Sequence, residues 1–383
     1  MRNPFEFGRE LDPAELVDRE EEVAEVVRTI ESGGKLFLIG PRRYGKTSIL
    51  RAAEQRFEAS EAVVLRFDAE AYATLELLTR AIFLEASQRL HGNLAQTKSS
   101  LGKFFSRLKP ELSVNLGDQT ISGSLELKAS EPDPVPLLVD MLNGLEKLAA
   151  AAKRPVGLML DEFQKVILLG GESAEAQIRA AIQRHRNVGY VFTGSQTRML
   201  TDMTTLPSRP FYRLGERRFL DLIPRQDFAD FLAYGFKRGG FKTTSDGINA
   251  ILDLAEEIPY LVQKLAHTCW NSLQQSRQQT LTAQFVQRAL ELLARRDDAY
   301  YGRLWNELTV IQQKALLVIL QEGTARLHSQ AVTKSYGLTA STMQRALKSL
   351  QEKEVLRTET RLGEARLRFE DPFFKVWIRL ITR

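Results

Sequence analysis

A chain of 383 residues exceeds one comfortable hydrophobic core and suits two or three domains of roughly 100–200 residues each. Hydrophobic residues at 43% and charged residues at 26% exclude a disordered or fibrous composition. The formal charge of +5 is uneven: residues 301–383 hold 14 Lys/Arg against 8 Asp/Glu, a local +6 that leaves −1 for residues 1–300 and suits an anionic partner.

In chain order, residues 18–32 predict an amphipathic helix with Val23, Val26, Val27 and Ile30 on one face, stopped by Gly33 and Gly34. Residues 35–40 form a short apolar run ending in glycine, and a second helix starts at Thr47. Further strands are expected at 62–68, 156–161 and 189–194, with helical patterns between them, so the sheet should be parallel and covered on both faces. Period-2 alternation over 112–127 around Gly117-Asp118 reads as a β-hairpin inserted between the second and third strands. Residues 219–222 suit a fifth strand, and periodic helices from about 225 to 308 suit a helical lid. The last part reads as a winged helix. It has a helix through Gln321, a short one near 329–336, a longer one capped by Thr339, and strands at 356–361 and 365–369. Linkers are expected at 131–136 and near 297–302. The expected domains are 1–222, with the hairpin insertion at about 111–128, then 223–300 and 301–383.

Two motifs carry chemistry. Gly40-Pro41-Arg42-Arg43-Tyr44-Gly45-Lys46-Thr47, followed by Ser48, matches the phosphate-loop pattern between a strand and a helix. Its glycines allow a tight turn whose N–H groups meet phosphate oxygens, Lys46 reaches the β and γ phosphates of ATP, and Thr47 is a ligand for Mg²⁺. The apolar run 157–160 ends in Asp161-Glu162, the order of a Walker B motif, with Asp161 toward Mg²⁺ and Glu162 polarising the attacking water. Thr193-Gly194-Ser195-Gln196 offers a polar sensor of the γ-phosphate at Ser195, although these residue types equally suit a turn. Among Arg209, Arg213, Arg217 and Arg218, Arg213 is the favoured contact to the γ-phosphate of this or a neighbouring subunit, the alternative being solvated surface arginines.

With these motifs, the Arg19-Glu20 helix, the Phe-Thr-Gly-Ser strand end and the terminal segment 369–377, the chain resembles the archaeal-type ATPases of the broader AAA+ and STAND group, related to origin-recognition ATPases. The resemblance covers nearly the whole chain. It implies sheet order 5-1-4-3-2, a helical lid after the fifth strand and a C-terminal winged helix. It also implies an adenine pocket lined by Arg19 and Glu20, and a lid motif at Ile258-Pro259-Tyr260 that brings Pro259 toward the nucleotide. Glu257 stands where that family usually has glycine.

On the longer helix Met343, Ala346, Leu347 and Leu350 share one face, leaving Gln344, Arg345 and Lys348 outward. Those three could read double-stranded DNA in the major groove while Arg357, Arg361, Arg366 and Arg368 of the hairpin meet its backbone. The alternatives are a protein partner, a homo-oligomer or intramolecular packing. An ATP-hydrolysing protein coupling nucleotide state to the winged helix is one expectation; a slow nucleotide switch acting through protein contacts is the other. Cys269 fits buried packing, and His91, His185, His267 and His328 lack metal-ligand spacing. The opening residues lack a signal-peptide pattern and no stretch reaches the ~18 apolar residues of a membrane span, so the expected location is the cytoplasm.

Overall fold

A computed structural model describes the chain except for residues 1, 59, 91–107, 116–119, 128–133, 172, 277, 325–326, 328–334, 362–363 and 383. The described residues form two compact units. One is Gly8–Ile223; the other joins Met1–Phe7 to Pro224–Arg383.

The first unit is built on five parallel strands, β1 (Lys35–Ile39), β2 (Val63–Asp68), β5 (Val156–Asp161), β6 (Val188–Gly194) and β7 (Glu216–Phe219). They lie in the order β2-β5-β6-β1-β7, the expected 5-1-4-3-2 read from the other edge. Successive side chains of a strand point to opposite faces, and both faces are apolar here. Leu36 and Leu38 of β1 pack with Val26 and Ile30 of α1 (Glu20–Glu31) and Ile49 and Ala53 of α2 (Lys46–Phe57). Phe37 and Ile39 join the opposite layer, under α3 (Leu75–Arg89) and α4 (Val135–Ala152), which contribute Leu78, Ile82, Leu138 and Met141. Each fully buried Val, Leu, Ile, Phe or Met among them stabilises the fold by about 1.5–3 kcal/mol. Close packing of α1 requires Gly189, where a Cβ would stand 2.4 Å from the Cα of Ile30.

The inserted hairpin is present between β2 and β5, as antiparallel β3 (Leu108–Asn115) and β4 (Thr120–Leu127), starting earlier than expected. The fifth strand also lies earlier, at Glu216–Phe219 instead of 219–222. Parallel pairing of Leu36 with Glu216 fixes this register, and the strand is an edge, mostly exposed and charged, so apolarity could not mark it. Leu220, just beyond it, turns back into the core beside Gly40.

The first unit also holds α5 (Gln164–Gly170), α6 (Ala174–Ile182) and α7 (Thr197–Thr205). His185 is buried between Tyr190 and Asn143, 2.8 and 3.1 Å away, and burial pushes its pKa down to about 4, so the ring is neutral.

The second unit starts with α8 (Arg225–Arg238), α9 (Ser245–Leu254), α10 (Pro259–Gln275) and α11 (Ala283–Arg296), plus a two-residue parallel pair, β8 (Lys242–Thr243) with β9 (Thr280–Leu281). Residues 1–7, expected to belong with the ATP-binding part, pack here instead. Phe5 is wholly buried against Phe236 and Trp270, and a Cβ on Gly235 would stand 2.6 Å from its ring. His267 Nδ1 donates to the Phe5 carbonyl at 2.7 Å, and Asn3 Nδ2 donates to the His267 carbonyl at 3.0 Å. Cys269 is buried on the same helix and its thiol pKa is pushed up by burial.

The expected linker near 297–302 is helical: α12 (Asp298–Asn306) follows α11 with only Asp297 between them. Lys264 holds Asp297 at 2.6 Å, and Trp377 Nε1 donates to Asp298 at 2.8 Å. Then come α13 (Val310–Glu322), α14 (Ala340–Glu352), the antiparallel strands β10 (Leu356–Arg361) and β11 (Glu364–Phe369), and α15 (Pro372–Ile381). The helical lid and this winged helix, expected as separate domains, share one compact unit. The expected short helix near 329–336 falls largely outside the described residues, as do residues 131–133 of the linker at 131–136, whose last two residues open α4. Among the described residues no helix is long and apolar enough to cross a membrane.

Candidate active site

In a parallel sheet the loops after the strand C-termini form a crevice, and the two motifs meet there. β1 delivers Gly40, after which the loop turns through two left-handed residues, Arg43 at φ 70° and Gly45 at φ 92°. Gly45 caps α2 without a side-chain hydrogen bond, so the first N–H groups of that helix are kept for an anion. Lys46, buried, donates to the Gly40 carbonyl at 2.9 Å and the Pro41 carbonyl at 3.1 Å. Burial lowers its pKa, opposed by the charges of Glu162 and Asp161.

β5 brings its two carboxylates beside that loop. Thr47 Oγ1 donates to Asp161 Oδ2 at 2.7 Å, and the Thr193 hydroxyl, from the end of neighbouring β6, donates to Asp161 Oδ1. Glu162 sits in a left-handed turn, φ 50°, and its Oε2 accepts from Ser195 N and Ser195 Oγ, each at 2.9 Å, and from Gln164 Nε2. Burial raises the pKa of Glu162, but those donors and the nearby Lys46 charge outweigh it and hold the carboxyl below its ordinary range. Glu162 is therefore an anion at neutral pH. Arg42 Nε reaches Ser195 Oγ at 3.3 Å, and Ser48 Oγ accepts from the Leu11 amide at 3.2 Å.

A hydroxyl and a carboxylate in contact at the loop are hard oxygen donors that fit Mg²⁺, which takes one or two protein ligands and completes its shell with water and phosphate. Thr47 and Asp161 would hold it.

Sequence reasoning passed over two polar groups here. Asp68, at the end of β2, pairs in register with Asp161; burial raises its pKa, helped by the Asp161 and Glu162 charges. Gln164 is 2% exposed, and its Glu162 contact reaches across two residues of a turn that no helical or strand period describes.

The other expected residues lie elsewhere. Arg19 is 4% exposed at φ 94°, its guanidinium donating to Glu22 at 3.2 Å and to the Asp221 carbonyl at 2.6 Å, so it pins the start of α1 to the end of β7. Glu20, next to it, is exposed. Tyr44 is buried and Pro41 half-buried. Pro259 opens α10 in the other unit. Arg213 is a correction with respect to its own subunit. It is exposed at φ 54°, stacks on Tyr212 at 5.0 Å and precedes β7, lining a cleft with Arg28 and Lys35. That is the N-terminal end of the sheet, a strand of five residues at about 3.3 Å each away from the phosphate loop. Arg209 and Arg218 are taken by Glu175 and Glu21, and Arg217 donates to the Thr204 carbonyl at 3.4 Å.

In the winged helix α14 leaves Gln344, Arg345 and Lys348 exposed while Met343, Ala346, Leu347 and Leu350 are buried. The hairpin arginines divide. Arg357 and Arg368 oppose each other across the strands and turn toward Glu256, at 3.7 and 3.9 Å, so neither is a free backbone contact. Arg366 is exposed; the Arg361 side chain lies outside the described residues.

Residues 299–380 match the family model described as "Probable winged helix domain". No curated protein matches the sequence. Among solved structures, a Walker-type ATPase of Pyrococcus abyssi is similar at 19% identity and TM-score 0.63, covering 98% of this chain and 99% of that one. The ORC2 protein of Aeropyrum pernix, solved as ADPNP and ADP complexes, is similar at 12% identity and TM-score 0.56, covering 100% of this chain and 98% of that one. By its strand order and its full-length likeness to these structures the chain has the fold they share, and its residues 299–380 match a winged-helix domain.

Proposed function

We propose that this chain binds Mg-ATP at the crevice beyond the C-terminal ends of β1, β6 and β5, hydrolyses it to ADP and phosphate, and couples nucleotide state to the winged helix. The observation that carries this reading is the meeting of Lys46 and Thr47, at the start of α2, with Asp161 and anionic Glu162, at the end of β5. In it, the N–H groups of the loop bind the phosphates and Lys46 exchanges its loop carbonyls for β and γ oxygens. Bound Mg²⁺ would supply charge neutralisation across the phosphates. Glu162 orients and deprotonates the attacking water, and Ser195, within reach of both Glu162 and Arg42, senses the γ-phosphate. Arg19 and Glu20 border the adenine. In a homo-oligomer, exposed Arg213 would reach a neighbour's phosphates.

Double-stranded DNA is the favoured partner, supported by exposed Gln344, Arg345 and Lys348 on one helix face. A second reading, a slow switch acting through protein contacts, draws on the engagement of Arg357 and Arg368 with Glu256, which makes part of the hairpin an internal element. A cytoplasmic location goes with either.

The test is ATP hydrolysis with and without double-stranded DNA, for wild type and Glu162→Gln, beside binding of a labelled nucleotide. Loss of turnover on the order of 100-fold or more in E162Q, with binding kept, is expected. Acceleration by DNA supports the coupled ATPase; tight binding with negligible turnover in both conditions supports the switch. Unchanged turnover in E162Q would sink the assignment of Glu162.

A further inference from the structure

The buried amide of Gln164 is anomalous on stability grounds. Its Nε2 donates to Glu162, but its Oε1 is buried with no hydrogen-bond partner among the described residues. Turning the amide over would not help, because the carbonyl would then face the Glu162 carboxylate. Leaving a buried acceptor unsatisfied costs about 1–3 kcal/mol, so an apolar side chain of the same length would suit this place in the fold at least as well. The surroundings are nonetheless shaped to admit the amide: a Cβ at Gly194 would stand 2.1 Å from that Oε1, so the glycine that ends β6 makes room for it. The same strand end supplies Ser195, whose N–H and hydroxyl meet the oxygen of Glu162 that Gln164 grips, and the Phe163 amide donates to the Thr193 carbonyl at 2.8 Å. Glu162 therefore hangs from a left-handed turn with its carboxylate clasped between α5 and β6.

We propose that Gln164 is a positioning residue for ATP hydrolysis, fixing the rotamer of the Glu162 carboxylate so that its other oxygen faces the phosphate crevice. The inference rests on the reading of Glu162 as the residue that activates water. A carboxylate on a turn has several staggered rotamers, and three donors on one oxygen leave a single one. Holding a catalytic group to within a fraction of an ångström is worth on the order of 10- to 100-fold in rate.

Gln164→Met keeps the length of the side chain and removes the donor. The expected result is a melting temperature of the nucleotide-free protein equal to or above wild type, an unchanged Kd for labelled ATP, and kcat lower by on the order of 10- to 100-fold. Gln164→Leu should repeat that pattern. A lowered melting temperature, with or without loss of kcat, would make the amide a part of the fold and overturn the proposal; an unchanged kcat would overturn it too. If E162Q hydrolyses ATP as fast as wild type, the assignment of Glu162 itself fails, a result distinct from E162Q being inactive while Q164M keeps full kcat.

Discussion

The phosphate loop and the turn before Pro259 both hold non-glycine residues in left-handed backbone, and they are supported in opposite ways. In the first, Arg43 and Gly45 adopt φ 70° and 92°, and the helix start beyond has no capping side chain. In the second, Glu256 and Glu257 adopt φ 50° and 58°, and each is tied by its carboxylate. Lys375 Nζ meets Glu256 at 2.8 Å with Arg357 and Arg368 behind it, and Arg225 meets Glu257 at 2.6 Å. The left-handed region costs a side-chain-bearing residue about 1–2 kcal/mol. At the step into α2 glycine avoids that cost and brings no side chain to cap the helix; the turn that only needs a fixed shape meets it with ion pairs.

The largest effect is expected at Glu256. Glu256→Ala keeps the backbone strain and removes the carboxylate shared by Lys375, Arg357 and Arg368, of which Arg357 keeps two carbonyls and Arg368 keeps Glu359, so unfolding of the second unit should become easier by about 3 kcal/mol. Denaturant titration followed by tryptophan fluorescence, whose three sources Trp270, Trp305 and Trp377 all lie in the second unit, would read it, and a change below about 1 kcal/mol would show that the ion pairs do not support the turn. Gly45→Val comes next. Its Cβ would meet nothing within 4 Å, so the damage is conformational: about 2 kcal/mol of strain, with nucleotide affinity weaker by on the order of 10- to 100-fold. Retained affinity would mean that the loop does not need its left-handed step. The smallest effect is expected at Glu257→Gly, where about 1 kcal/mol of relieved strain offsets a partly exposed pair with Arg225 worth at most about 1 kcal/mol. A stability equal to wild type or slightly higher fits; a loss comparable to that of E256A would place Glu257 on a par with its neighbour.

How much of this was legible in the sequence follows from what each residue's role depends on. Gly40 to Thr47 and Asp161-Glu162 were legible because local spacing dictates their geometry: a tight turn into a helix, and a strand that ends in acid. Strand order came only through resemblance to a family, since nothing within a strand states its neighbours. β7 was misplaced because an edge strand reading Glu-Arg-Arg-Phe has no apolar alternation. Arg213 was legible as an arginine near a strand but not as one at its starting end. The hairpin arginines show the same limit. Period-2 alternation does put residues 357, 361, 366 and 368 on one face, but whether that face meets water or Glu256 is a matter of packing. Gln164 escaped because a glutamine in the first turn of a helix reads as an ordinary surface residue until the partner two positions earlier is seen.

The burial of Phe5 against Trp270 has a consequence for how the molecule is made. Its carbonyl meets His267, a sequence separation of 262 residues, so in topology Gly8–Ile223 is inserted into the other unit. During synthesis the inserted unit can complete its sheet once β7 has left the ribosome. Residues 3–7 must wait for α8 and α10. At about 5–20 residues per second, that leaves an apolar anchor without its pocket for on the order of ten seconds or more, long enough for it to be a target for chaperones.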